Sequence, residues 1–199
     1  MKKWLSIIFV LTISSVLYAQ AISADQLIPS GLRSISTTGI TVDIGGGNYR
    51  LSLNAASGEG EELWGLVVGS DYYMAENTEL LMKMDNDEII HLVADRVNVS
   101  ALTTPDHFTT YHIGGISETF VEPGGERDYY VSIFRLSDDQ VSLLEDHAIK
   151  KMRISLGQSY LEKSSGLKRL SRWLSKSVSL IRERRLKPLG NHKSITDGF

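Results

Sequence analysis

The sequence predicts a mainly β protein, an antiparallel β-sandwich or barrel-like sheet with one short capped helix and a long C-terminal amphipathic helix. Three observations predict it. Short apolar runs with two-residue alternation recur between Ile40 and Arg127, separated by Gly, Asn, Asp and Pro clusters. The stretch Arg127–Leu156 reads strand, capped helix, strand. Apolar residues then recur at helical spacing from Leu167 to Ile181.

Each element has a local reason. Ile22–Ser34 has little pattern and reads as a link or wrap. Ile40, Val42 and Ile44 alternate, Gly45–Asn48 interrupts, and Tyr49, Leu51 and Leu53 resume the alternation, as in a hairpin with a glycine-permitted turn. Ala55–Glu62 is small and acidic and reads as a loop. Leu63–Gly69 is apolar throughout and reads as a buried strand. Glu79–Met84 and Glu88–Ala94 flank Asp85-Asn86-Asp87, a second hairpin whose later arm can run on to Val99. His107–Ile113 and Ile116–Val121 are further short strands around Gly114-Gly115, and Glu122–Glu126 is a turn.

The next stretch organises the chain. Tyr129, Val131 and Ile133 alternate with Tyr130, Ser132 and Phe134, so this strand is expected to be covered on both faces, or at least to be a central one. Ser137 offers an N-cap oxygen and Gln140 completes a capping box. Asp138 and Asp139 complement the helix dipole in the first turn, and His147 falls at the other end. Val141 and Leu144 mark the buried side. Met152, Ile154 and Leu156 alternate with Lys151, Arg153 and Ser155, a half-buried strand. Gly157–Ser165 reads as a connector. Gly166–Lys187 is the long helix, with Leu167, Leu170, Leu174, Val178 and Ile181 on one stripe. Lys168, Arg169, Arg172 and Lys176 lie on another face. Pro188 ends it.

The order of a Tyr-Tyr strand, a Ser-x-x-Gln helix, a Lys-x-Arg-Ile strand and a long basic helix resembles uncharacterised small secreted proteins of gut-type anaerobic bacteria. The resemblance covers roughly Arg127–Lys187. It implies an extracytoplasmic β-rich domain and transfers no functional residue.

The N-terminus carries the compartment signal. Lys2 and Lys3 precede an apolar run ending at Ala19-Gln20-Ala21, the pattern of a secretory signal peptide cleaved after Ala21. The expected organisation is therefore signal peptide 1–21, β-rich domain 22–163, amphipathic basic helix 164–187 packing on that domain, and flexible tail 188–199. The expected location is extracytoplasmic, in the periplasm or secreted. There is no cysteine, so burial rather than disulfides must hold the fold. Charge is uneven. Residues 22–163 hold 10 Lys+Arg and 22 Asp+Glu, a net −12, and residues 164–199 hold 9 and 2, a net +7.

No catalytic, cofactor-binding or metal-binding set emerges, and no nucleic-acid partner or cofactor is expected. His107 and His112 are five apart and fall on opposite faces of a strand, which does not suit shared metal ligation. His91, His147 and His192 are isolated. Asp85-Asn86-Asp87-Glu88 has oxygen ligands but lacks the spacing and glycine of a calcium loop. Gly45-Gly46-Gly47 precedes a strand, not a helix, and so is no phosphate loop. Glu59, Glu61, Glu62, Glu118, Glu122, Glu126 and Asp128 offer carboxylates for a glycosidase pair. Tyr72, Tyr73, Tyr129, Tyr130 and Trp64 could form a glycan-stacking platform. Asn98-Val99-Ser100 matches a glycosylation acceptor by accident of composition. The leading expectation is a non-enzymatic interaction or structural module of the bacterial envelope, with an unknown protein or glycan as partner. The alternatives are membrane attachment through the basic helix and glycan binding or hydrolysis.

Overall fold

A computed structural model describes residues 20–58, 60–104, 107–113, 116–122 and 124–189; the side chains of Glu61, Leu102, Thr104 and residues 107–122 lie outside that description. The elements in chain order are β1 (Ile22–Leu27), β2 (Arg33–Thr37), β3 (Ile40–Ile44), β4 (Gly47–Gly58), β5 (Glu61–Ser70), β6 (Glu79–Met84), β7 (Ile89–Thr104), β8 (His107–Ile113), β9 (Ile116–Glu122), β10 (Gly125–Leu136), α1 (Asp138–Asp146), β11 (Ile149–Leu156), β12 (Ser159–Lys163) and α2 (Lys168–Arg185). The protein is mainly β, as the alternating runs predict.

One large sheet runs β1-β2-β4-β5-β10-β7-β6-β11-β12, with β3 paired to β4, and β8-β9 forms a separate hairpin. All pairings in the large sheet are antiparallel. The sheet bends within β7, whose first residues pair with β6 while Ala94 onward pairs with β10. The register shifts there, between Ala94 and Arg96, a bulge of the kind that raises local twist. The bend brings the far ends together without joining them. β12 lies against β3, where a Cβ on Gly45 would stand 3.1 Å from Leu161 Cβ, and Lys163 reaches Asp43 at 3.9 Å.

The core fills the inside of this curl. Leu51, Leu53, Leu66, Val68 and Phe134 line it from one half of the sheet, and Leu80, Met82, Met152 and Ile154 from the other. α2 spans the two halves, touching β2, β3 and β4 on one side and β11 and α1 on the other. Leu167, Leu170, Leu174, Val178 and Ile181 are all buried beneath it. Each such side chain contributes roughly 1.5–3 kcal/mol on burial. Ser171 pins the helix to the sheet: its hydroxyl accepts from Ile149 N–H at 2.9 Å and donates to Leu167 O at 3.0 Å. α1 begins with the expected capping box, Ser137 Oγ accepting from Gln140 N–H and Gln140 Oε1 accepting from Ser137 N–H.

Four expectations need correction. Ile22–Ser34 is not a patternless link, because it holds β1 and the start of β2. Most of Gly157–Ser165 is β12 rather than a connector, and β4 and β5 take up most of the expected Ala55–Glu62 loop. β10 is central in the sheet, between β5 and β7, but among the described residues it is covered on one face only. Ser132, Phe134 and Leu136 are buried, while Tyr129, Val131 and Ile133 are half-exposed. Their shelter comes from small neighbours rather than a second layer. A Cβ on Gly69 would stand 2.4 Å from Tyr129 Oη, so only glycine at 69 lets that ring lie across β5.

Candidate functional site

A groove of about 1030 Å³ opens between α2 and the corner joining β2 to β3. Its walls carry five cations, Arg50, Lys168, Arg169, Arg172 and Lys176, and among the described residues none that lines it is acidic. The sequence places them there for identifiable reasons. The buried stripe fixes the rotation of α2, which turns its other face outward. Lys168, Arg172 and Lys176 are four residues apart, so they stack on successive turns at about 6 Å spacing. Arg50 comes from β4, opposite Thr41 on β3. Its side chain crosses the corner over Gly39, where a Cβ would stand 2.8 Å from Arg50 Nε and 3.1 Å from Leu51 O. Any larger residue would displace it.

Among the described residues, Arg50, Lys168, Arg172 and Lys176 have no carboxylate within ion-pair distance. α2 also starts without a side-chain cap and without an acidic residue in its first turn. The helix dipole therefore adds to the positive potential at that end instead of being offset by it. Thr38, Thr41 and Gln20 contribute neutral polar groups to the same groove, and Gln20 Nε2 donates to Trp173 O at 2.6 Å. Trp173, the one aromatic that lines it among the described residues, is 8% exposed.

The other end of α2 is arranged differently. Arg182 pairs with Glu145, Arg184 with Asp25, Arg185 with Glu62 and Lys187 with Glu183. Asp25 also takes a bidentate pair from Arg33 at 2.8 and 2.9 Å. That guanidinium donates on to the carbonyls of Arg184 and Lys187 at 3.1 and 2.7 Å, closing the C-terminal end of the helix. The Arg33 hydrogen bond, with Arg184 behind it, holds the Asp25 carboxyl below the usual carboxylate range against the opposing effect of burial. A second hollow of about 480 Å³ beside Arg33, Arg182 and Arg185 is thus lined by cations that already have partners.

The candidates expected from sequence disperse. The Asp85-Asn86-Asp87 turn is neutralised from within: His147 Nδ1 lies 2.9 Å from Asp85, and Lys83 and Lys150 lie 3.0 and 3.6 Å from Asp87. The His147 and Lys83 hydrogen bonds lead in holding these two carboxyls low. Among the described residues no group of three His, Asp or Glu could hold a metal. Tyr73 meets Tyr130 edge-on at 5.4 Å and Tyr72 stacks on Tyr49 at 6.1 Å, but Trp64 is buried in the core and Tyr129 lies on the opposite face of β10. Buried Tyr49 has its hydroxyl pushed up to about 12 by desolvation. Glu62 is drawn to Arg185, Asp128 accepts from Tyr130 Oη, and Glu126 is exposed on β10. Gly45 and Gly46 turn the chain with positive φ and serve the β3–β4 hairpin. His91 lies 3.4 Å from Glu79 on the neighbouring strand, and Asn98 is exposed on β7. His192, Glu59, and the side chains of His107, His112, Glu61, Glu118 and Glu122 lie outside the described residues, as does the segment 1–19.

Sequence reading placed Lys168, Arg169, Arg172 and Lys176 on one helix face but missed Arg50 and the groove itself. The available signal was Gly39 at a strand corner, which marks a close approach without saying of what. No family model, curated protein or solved structure matches the chain.

Proposed function

We propose that this protein is an exported, non-enzymatic binding module of the bacterial envelope, and that the groove between α2 and the β2–β3 corner takes an anionic ligand. The observation that carries this reading is the convergence of unpaired cations from two elements in a chain that is otherwise acidic. From residue 22 onward the charges sum to −12 and +7, a net −5. A protein with that surplus of carboxylates has partners to offer every cation, and it supplies them to the far end of α2. Four cations in one concavity with no carboxylate partner among the described residues suit an external anion.

Export rests on the N-terminal lysines, apolar run and Ala19-Gln20-Ala21, together with the resemblance over Arg127–Lys187. Cleavage after Ala21 would remove Gln20 from the groove and create a new amino group at Ile22, the partner of Thr37 beside groove-lining Thr38. The membrane alternative loses its main support, because the apolar stripe of α2 is buried under the sheet curl. Among the described residues no helix is long and apolar enough to cross a membrane.

Chromatography on a sulfonate resin at neutral pH and low salt tests the reading. A protein of net negative charge is expected to be retained there through the groove, and the Arg172→Glu/Lys176→Glu variant to flow through. Flow-through of both proteins would reject the anionic-ligand reading.

A further inference from the structure

Resting on that reading, we infer that the ligand of the groove is an acidic polysaccharide, a chain of sugars bearing uronate or sulfate groups. The first reason is shape. Lys168, Arg172 and Lys176 form a row about 12 Å long on successive helical turns, with Arg50 facing it from β4. A row of charge in an open groove matches a ligand with several anionic groups in sequence better than one compact anion, which a single guanidinium fork would hold. The second reason is the chemistry between the charges. Thr38 and Thr41 place hydroxyls among the cations, groups that both donate to and accept from sugar hydroxyls, whereas a bare phosphate chain can only accept from them.

The third reason excludes two other polyanions. Single-stranded nucleic acid is held by stacking bases on exposed aromatics as well as by charge. Among the described residues Trp173 is the aromatic that lines the groove, and with Gln20 hydrogen-bonded to its carbonyl it is 8% exposed, so bases find little platform there. A membrane surface is held by cations together with apolar side chains that enter the headgroup layer. Ile40, Trp173 and the α2 stripe are all buried, so among the described residues the groove would meet a membrane through charge alone.

The test uses the purified exported chain and measures binding by calorimetry to polygalacturonate, dextran sulfate, uncharged dextran, a single-stranded DNA oligonucleotide and vesicles containing anionic lipid. Binding to polygalacturonate or dextran sulfate, absent for dextran and weaker for DNA and vesicles, is the expected result. The Arg172→Glu/Lys176→Glu variant is expected to lose at least about tenfold in affinity, and added salt to weaken the wild type. Arg96→Glu/Arg135→Glu, a reversal of equal size on exposed strands outside the groove, is expected to keep the affinity within about twofold. Equal losses in both variants would overturn the inference, since binding would then follow net charge alone. Tighter binding to DNA or vesicles would overturn the polysaccharide assignment while leaving the anionic-ligand reading standing. No binding to any of the anions would reject both. Matching thermal transitions for the variants and the wild type establish that a loss of binding is not a loss of folding.

Discussion

The two ends of α2 carry similar charge and put it to opposite uses. At the C-terminal end every cation has a carboxylate partner, the carbonyls are closed by Arg33, and positive charge lies where the helix dipole favours it. At the N-terminal end there is no side-chain cap and no acidic residue in the first turn, and among the described residues four groove cations, one of them from β4, have no carboxylate partner. One end is arranged for stability and the other works against it. A local rule broken without local compensation is what the proposed anion site would require of that end.

The largest effect is expected from removing α2 altogether. Ending the chain at Lys163 exposes the core side of the curl and deletes five aliphatic side chains worth roughly 1.5–3 kcal/mol each, against a net stability of about 5–15 kcal/mol for a domain. The product is expected to aggregate or show no cooperative transition. A soluble fragment melting like the full chain would mean that neither end of the helix matters to the fold.

Next in size is the C-terminal clamp. Asp25→Ala leaves two guanidiniums, Arg33 and Arg184, facing each other in a mostly buried site, and is expected to cost about 3 kcal/mol by chemical denaturation. The same carboxylate gives a pH signature. Its folded pKa is depressed, so the unfolded chain binds the proton more readily. Stability from this group is therefore full above the unfolded value, about 4, and is lost as pH falls through the lower folded value. Wild type is expected to lose stability on acidification below about pH 4 more steeply than Asp25→Ala. Parallel acid profiles would remove the clamp from the account.

Capping supplies a contrast between the two helices. α1 has a reciprocal box and α2 has none at its start. Ser137→Ala is expected to cost roughly 0.5–2 kcal/mol, since the Gln140 N–H loses its acceptor. An unchanged denaturation midpoint would show that the box contributes nothing there.

Legibility followed locality. The capping box, β10, the β3–β4 and β6–β7 hairpins and the α2 stripe are set by neighbours within a few residues, and the pattern showed them. β1 and β12 did not show. Both are edge strands, with half-exposed side chains that do not alternate cleanly. β12 is fixed instead by pairing across to β11, where Arg153 meets Glu162 at 2.7 Å. β10 is the central strand its pattern allowed but has no second layer among the described residues: Gly69 shelters Tyr129 from the adjacent strand, and a period-two pattern cannot tell a glycine seat from a covering sheet. The groove needed Arg50 of β4 brought to the same concavity as the α2 cations by tertiary structure, so only its helical half was visible in the sequence.

The claim that the N-terminal cations of α2 serve a ligand rather than the fold has one direct measurement, the thermal midpoint of the variant Arg50→Gln/Lys168→Gln/Arg172→Gln/Lys176→Gln in ligand-free buffer at low salt. Four like charges crowded in one groove repel, so neutralising them is expected to leave the midpoint unchanged or raise it. A midpoint several degrees below wild type would mean that these cations stabilise the fold, and would contradict the account.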